Sequence, residues 1–524
     1  MANDVLKVSV VVPTYNSGEH VQPLVDSLLR QSMPATEFEV IFVDDGSTDD
    51  TPARLAELAA AHPNFHVLRG EHSGWPARPR NMGVAWARGE YVQFVDDDDW
   101  LGDEALERLY GYAARHDADI AIGKMTGHGR AVPRELFRID RPDARLDDAP
   151  LIESLTCHKM FRRAFLLEHD LRFPDENRKR LEDHHLVARA YLLSRRTCVL
   201  SDYTCYHHAR RPDGGNLTAT RMEPAGYYSS LREVLDIVDS HTEPGPLRDR
   251  LHQRWLRSEM IRRLRGARLR DAPRDWVDQV AAEVQKTIQE RFAPEVTDSL
   301  PSFERALAGL AAQGRVDDLV RLAEWDAGIR VRARLKAYEL TGLTLTMLLG
   351  AQLRDGEQPL SYRHVDGRDR LVVPLDDVPA DLLDSTDDVS RARLDVVAQH
   401  ATRHDEFFLP VHFEVDRVPD PAGDGVQLRY RGTATVDFGA LDGGRTQGEW
   451  VLKARVTGSG WTLDAKLPLA VTCAADGARP EVVDKRKKKA PAKPPAPRPG
   501  LWRRLARAVR RRLGLAEPQA VRLS

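Results

Sequence analysis

The chain has 524 residues, of which 42% are hydrophobic and 30% charged, with a formal net charge of -3. That length exceeds a single hydrophobic core and predicts two to four domains of globular composition. No apolar stretch approaches the ~20 residues of a membrane span, and Val8 to Val12, ended by Pro13, is too short for a secretory leader, so a cytoplasmic protein is expected. Charge is unevenly spread. Between Lys485 and Arg512 there are 13 Lys/Arg and no Asp or Glu, which leaves 64 basic and 80 acidic residues elsewhere. A basic tail on an acidic body argues against general nucleic-acid binding and for one local contact with an anionic surface. The four cysteines, Cys157, Cys198, Cys205 and Cys473, form no CxxC pair and suggest no disulfide framework.

In chain order, Lys7 to Val12 is a continuous β-branched run, as for a buried parallel strand. Gly18 to Arg30 has helical apolar spacing, and Glu39 to Val43 is a second strand, ended by Asp44-Asp45-Gly46-Ser47. Thr48 or Asp49 is placed to cap a helix through about Ala61. A short strand over Phe65 to Leu68 and a helix over Arg80 to Arg88 follow. Tyr91 to Val95 is a strand ending in four aspartates, Asp96 to Asp99, and a further helix covers Asp103 to His116. Strands alternating with helices at this spacing predict a doubly wound, mostly parallel sheet.

From about Gly226 to Tyr338 the apolar spacing is helical. From about Thr341 to Thr472 short apolar runs separated by Gly, Asp and Pro predict an antiparallel β-sandwich. The expected domains are 1–225, 226–340 and 341–478, followed by a Lys/Pro-rich linker over 479–500 and a helix over 501–515. On that helix Leu501, Trp502, Leu505, Val509 and Leu513 form one face and arginines the other. Such a helix suits the surface of an anionic membrane, or docking on an acidic protein face.

The aspartate run carries the chemistry. Adjacent carboxylates repel, and burying them is costly unless a cation or hydrogen bonds compensate. Three strand ends, Pro13-Thr14-Tyr15-Asn16, Asp44-Asp45-Gly46-Ser47 and Asp96-Asp97-Asp98-Asp99, fall on one edge of a parallel sheet, where open α/β sheets bind ligands. A ring to stack on, carboxylates for base N–H groups and carboxylates for a metal are what a nucleoside diphosphate needs. No GxGxxG or GxxxxGK[ST] is present, so a cation is the alternative way to meet phosphate charge. All-oxygen ligands favour Mg²⁺ or Mn²⁺.

The strings VSVVVPTYN, VDDGSTDDT and RNMGVAWARGEYVQFVDDDDW, in this order and spacing, resemble family 2 inverting glycosyltransferases of the GT-A fold. The resemblance covers about residues 5 to 125 strongly and 155 to 220 more weakly. It implies a Rossmann-like catalytic domain that takes a nucleotide-sugar and a divalent metal and transfers the sugar with inversion to a hydroxyl. It implies that Pro13 and Tyr15 line the nucleoside pocket, that Asp45 accepts from the base and that Arg80 lies beside that pocket. It assigns Asp98 to the metal, with Asp96 and Asp97 toward the ribose and metal waters. Asp99 is then expected to cap a helix or face solvent, and Asp44 either to join the site or to support its turn. Glu182-Asp183 resembles the pair that supplies the base, with Asp183 as base and Glu182 on the acceptor side. His207 or His208 is the candidate for a further metal contact, while His184 and His185 are expected to pack or to lie exposed. Trp75 is a candidate to stack on a sugar, and Trp100 is expected in the core.

The order of domains with a basic tail is similar to that of the wall teichoic acid glycosyltransferases of Gram-positive bacteria. That similarity implies a UDP-sugar donor, a polyol-phosphate acceptor, a peripheral place on the inner membrane face and a homotrimer through the β domain. Arg178-Lys179-Arg180 and Arg210-Arg211 are then candidates to meet a polyanion. Transfer to a lipid-linked or capsular glycan is the neighbouring alternative. A non-catalytic glycan-binding scaffold is the alternative of another class.

Overall fold

The computed structural model describes residues 6–175, 179–211, 221–421, 425–475 and 477–486. One compact unit extends to Val482. Its N-terminal part runs β1 (Val8–Thr14), α1 (Gln22–Leu29), β2 (Phe38–Asp44), α2 (Thr51–Ala61), β3 (Phe65–Arg69), α3 (Ala77–Trp86), β4 (Tyr91–Phe94) and β5 (Trp100–Leu101). It continues α4 (Ala105–Arg115), β6 (Ile120–His128), β7 (Arg141–Ala144), β8 (Met160–Arg162), α5 (Arg163–Glu168), α6 (Glu182–Leu193) and β9 (Thr197–Ala209).

These strands form one sheet in the order β3-β2-β1-β4-β8-β6-β9-β5, with β7 beside β9. Strands β1, β2, β3 and β4 are mutually parallel. β8 is antiparallel to both its neighbours. Every residue of β1 and β2 is buried, as their unbroken apolar runs require of strands covered on both faces. The register pairs Thr14 with Asp44, so the carboxyl ends of β1 and β2 share one edge. Helix α3 lies directly on β1 because Gly83 has no Cβ, which would stand 2.3 Å from Val11 Cγ1. That close seat brings Arg80, one turn earlier, to the same edge.

Helices then dominate from Pro224–His241 to Val316–Asp326. Glu223 starts this region as a cap, its carboxylate accepting from the N–H groups of Ala225 and Gly226 at 2.8 and 2.6 Å. The helical reading to Tyr338 runs too far. Ile329–Thr341 is a strand, antiparallel to Thr344–Asp355, with side chains alternating between half-buried and exposed. The strand Arg393–His400 also escapes the sequence reading. Two antiparallel sheets make up the remainder, one around Thr344–Asp355 and Gly425–Asp437, the other around Arg393–His400 and Gly448–Gly458. The predicted order of a Rossmann-like domain, a helical segment and an antiparallel β domain is therefore the observed one. No described helix is long and apolar enough to cross a membrane. Arg178, the linker from residue 487 and the helix predicted over 501–515 lie outside the described residues.

Candidate active site

The site is built on the edge where β1, β2 and β4 end. Tyr15 follows β1, is 41% exposed, and stacks on His72 with ring centroids 4.1 Å apart. Asp45 follows β2 and is buried. Its Oδ1 accepts from Ser73 N–H at 2.9 Å and Ser73 Oγ at 2.8 Å, and its Oδ2 from Gly74 N–H at 3.0 Å. Asp44 accepts from Ser47 N–H and faces Arg69 at 3.4 Å, which makes it a support of the turn.

The four aspartates point in different directions. Asp96 Oδ1 accepts from Arg80 Nη2 at 2.7 Å, and its Oδ2 meets His158 Nε2 at 3.0 Å. Burial alone would raise its pKa, and His158 with Arg80 more than offsets that, so it is held well below the usual carboxylate range. Asp97 accepts from the Ser17 hydroxyl. Burial pushes Asp97 up to about 6, and burial together with Asp96 and Asp97 pushes Asp98 up to about 6. Asp99 is neither a helix cap nor solvated. It is fully buried beneath β9, accepting from Tyr206 Oη at 2.6 Å and from Ala209 N–H at 2.7 Å. Tyr206 Oη in turn accepts from Asp96 N–H at 3.2 Å, and the Tyr206 ring stacks on His158 at 4.4 Å.

Glu182 and Asp183 form the first turn of α6, where exposed N–H groups favour carboxylates. Asp183 Oδ1 accepts from Arg80 Nη1 at 3.0 Å, and its Oδ2 from Cys157 N–H at 3.2 Å. Glu182 stands 3.5 Å from the same Nη1. Burial and the neighbouring Asp183 raise Glu182 to about 7. Arg80 is buried, so one guanidinium joins the aspartate run to the carboxylate pair 103 positions later in the chain. It therefore sits between two groups of carboxylates, rather than only beside a nucleoside pocket.

Ligand atoms of Asp96, Asp99 and His158 lie within 4.8 Å of one another. Those atoms are already engaged with Arg80, Tyr206, Ala209 and one another, as an internal network. The two candidate histidines face opposite ways, as neighbours on a strand must. His207 stacks on Trp100 at 5.2 Å and meets His128 Nε2 at 3.1 Å, away from the aspartates. His208 faces His158 at 5.3 Å, and its buried Nε2 has no hydrogen-bond partner among the described residues. Trp100 is half-buried rather than in the core. Trp75 lies under the Arg180 guanidinium at 5.2 Å. His184 accepts from Trp255 Nε1 at 3.4 Å and His185 stands 3.9 Å from Glu233, so both pack on the helical segment. Lys179 pairs with Glu233 at 2.8 Å. His158, Tyr206, Ser17 and Cys157 are contributors that carry no sequence signal. Each is an ordinary residue whose partner lies far along the chain.

The mostly parallel sheet with this carboxylate arrangement at its edge is a GT-A domain, here followed by a helical segment and an antiparallel β domain. The glycosyl transferase family 2 profile matches residues 9–169, and the glycosyl transferase TarS linker domain profile matches residues 224–323. The chain is 35% identical over 235 residues to a poly(ribitol-phosphate) beta-glucosyltransferase of Bacillus spizizenii, covering 44% of this chain and 37% of that protein. It is 37% identical over 246 residues to the poly(ribitol-phosphate) beta-N-acetylglucosaminyltransferase TarS of Staphylococcus aureus, covering 45% of this chain and 42% of that one. To the beta-N-acetylglucosaminyltransferase TarP of the same species it is 30% identical over 237 residues, 44% of this chain and 72% of that protein. The chain belongs to glycosyltransferase family 2. The alignments span under half the length of the first two relatives. The crystal structure of S. aureus TarS 1-349 in complex with UDP-GlcNAc superposes with a TM-score of 0.56 at 26% identity, over 71% of this chain and 98% of that one. A longer TarS structure matches over 91% of this chain and 84% of that one with a TM-score of 0.54, and at 20% identity it speaks for the fold alone.

Proposed function

We propose that this protein transfers a sugar from a UDP-sugar, with inversion, to a hydroxyl of a poly(ribitol-phosphate)-like polymer. The observation that carries the reading is Arg80, which holds Asp96 and Asp183 within reach of one guanidinium. A donor bound along the β1–β2–β4 edge then has its anomeric carbon toward α6. The exposed Tyr15 ring and Asp45 form the nucleoside end. Asp183 takes the proton of the acceptor hydroxyl as that oxygen attacks the face opposite the leaving UDP, and no covalent intermediate forms. Glu182, partly protonated near neutral pH, donates a hydrogen bond to the acceptor. The names and complexes of the TarS and TarP relatives support the donor and acceptor classes. UDP release from UDP-GlcNAc and from UDP-glucose, with and without poly(ribitol-phosphate), tests the reading. Polymer-dependent release with either donor is expected, and release that polymer never stimulates would remove this acceptor.

The residues fit a divalent cation at the Asp98 end. Asp97 and Asp98 are raised by burial, and His208, whose Nε2 is unpartnered among the described residues, lies within the field of Asp96. Asp98 and its neighbours would hold Mn²⁺ or Mg²⁺ there, which would supply positive charge against the diphosphate. Without a cation, each raised carboxylate binds its proton more readily folded than unfolded. Stability therefore falls as pH rises from about 4 through about 6. Asp98→Asn removes that cost. Discounted for partial exposure, it is expected to stabilise the metal-free protein at pH 7 by ~1–2 kcal/mol. The same variant is expected to abolish the melting-temperature rise on adding Mn²⁺. An undiminished Mn²⁺ response would mean that Asp98 is not a ligand.

A further inference from the structure

Between the catalytic domain and the β domain lies a small, solvent-open cleft of about 40 Å³. Lys124, Arg130 and Arg134 line one side, and His404, Glu406 and Phe408 the other. Lys124 is only 3% exposed. It sits on β6 where the pairing with β9 slips out of register, a bulge of the kind that re-aims a side chain. Its Nζ stands 3.2 Å from the centroid of Phe407, and among the described residues it donates no hydrogen bond and joins no ion pair. The nearby acids are engaged elsewhere: Asp405 with Arg403 at 2.8 Å, and Glu406 with Arg134 at 2.7 Å and Lys453 at 3.0 Å. Burial lowers the amine to about 8. The field of Asp405, Asp442, Glu406 and Asp202 and the Phe407 ring hold the ammonium in place, and its N–H donors remain available to a further acceptor.

The cleft also adjoins the catalytic edge. A tight turn through Gly127 and Gly129, the latter with φ +77°, brings Arg130 back towards the sheet end. There its charge acts on both Asp98 and His208. Arg130, which lines the same cleft as Lys124, thus links the cleft electrostatically to Asp98. A phosphate group offers several acceptor oxygens to the cations Lys124, Arg130 and Arg134 that line the cleft.

We propose that this cleft binds a phosphodiester of the acceptor polymer, with Lys124 as its central contact. The proposal rests on the polyol-phosphate reading above and adds a site for the acceptor's charge. Lys124→Met keeps the unbranched apolar stem of the side chain and removes the charge. In the full-length enzyme it is expected to raise KM for poly(ribitol-phosphate) about tenfold, the worth of one charge-assisted contact. KM for the UDP-sugar should stay unchanged, and the melting temperature should not fall. An unchanged polymer KM in the folded variant overturns the proposal.

Acetylation of Lys124, followed by mass spectrometry in the unsubstituted protein, gives a second readout that does not depend on turnover. Short ribitol-phosphate oligomers should protect it at phosphate concentrations where inorganic phosphate does not. Equal protection by inorganic phosphate, protection by UDP alone, or no protection by the oligomer each overturns the assignment. Protection by oligomer in a protein that shows no polymer-dependent transfer would keep the anion site and remove the acceptor reading instead.

Discussion

Replacing Asp183 by asparagine is expected to lower polymer-dependent transfer by ~10²–10⁴-fold while leaving UDP affinity near its starting value. The carboxylate has two engaged oxygens, one on Arg80 Nη1 at 3.0 Å and one on Cys157 N–H at 3.2 Å. Both partners are donors. An asparagine can satisfy one and must aim its own N–H₂ at the other, so the side chain keeps its volume and loses both its basicity and one contact. Tyr15 and Asp45, the proposed nucleoside end, pair instead with His72 and with Ser73 and Gly74. Transfer and donor binding therefore separate in this variant, which a single-turnover assay beside a UDP titration will reveal. Near-normal transfer by Asp183→Asn would remove it as the base.

Arg80→Met is expected to be the most damaging single change for stability. The guanidinium is buried and lies within 3.5 Å of three carboxylates, those of Asp96, Glu182 and Asp183. Removing the cation from such a cluster leaves uncompensated charge, a loss of about 3–5 kcal/mol. In a multidomain chain it appears as a fall in the first melting transition rather than as one global free energy. The sign of its pH dependence is fixed. Without Arg80 the carboxylates take up protons more readily in the fold than in the unfolded chain, so the deficit shrinks on acidification. Thermal scans at pH 5 and pH 8 should differ in that direction. Arg80→Lys restores one charge but not the fork that meets two carboxylates at once, and should recover melting better than turnover. A variant lacking Arg80 that melts and turns over like the parent would discard the bridging role.

Much of the catalytic half is legible in the chain because its signals are local. The Lys7–Val12 run, the turn after Val43 and the aspartates after Val95 each sit at the end of an apolar strand. What escapes is what depends on distant partners. Four like aspartates look alike in sequence, yet the chain turns Asp99 under Tyr206, 107 positions away. His158 reaches Asp96 across 62 positions, and nothing in Cys157-His158-Lys159 announces it. Ile329 to Tyr338, the larger part of the strand Ile329–Thr341, reads as helix because Arg and Lys interrupt it. Its true period of two shows only once one face packs and the other meets water. His207 and His208 could not be told apart without knowing which face of β9 turns towards the aspartates.

A single guanidinium held at one end by Asp96 and at the other by Asp183 makes the two ends of the site thermodynamically answerable to each other. Whatever draws Asp96 away from Arg80 hands more of that cation to Asp183, and the converse holds with the same magnitude. On the proposed assignment of Asp96 to the donor side and Asp183 to the acceptor side, filling the one and readying the other are then one equilibrium seen from two ends.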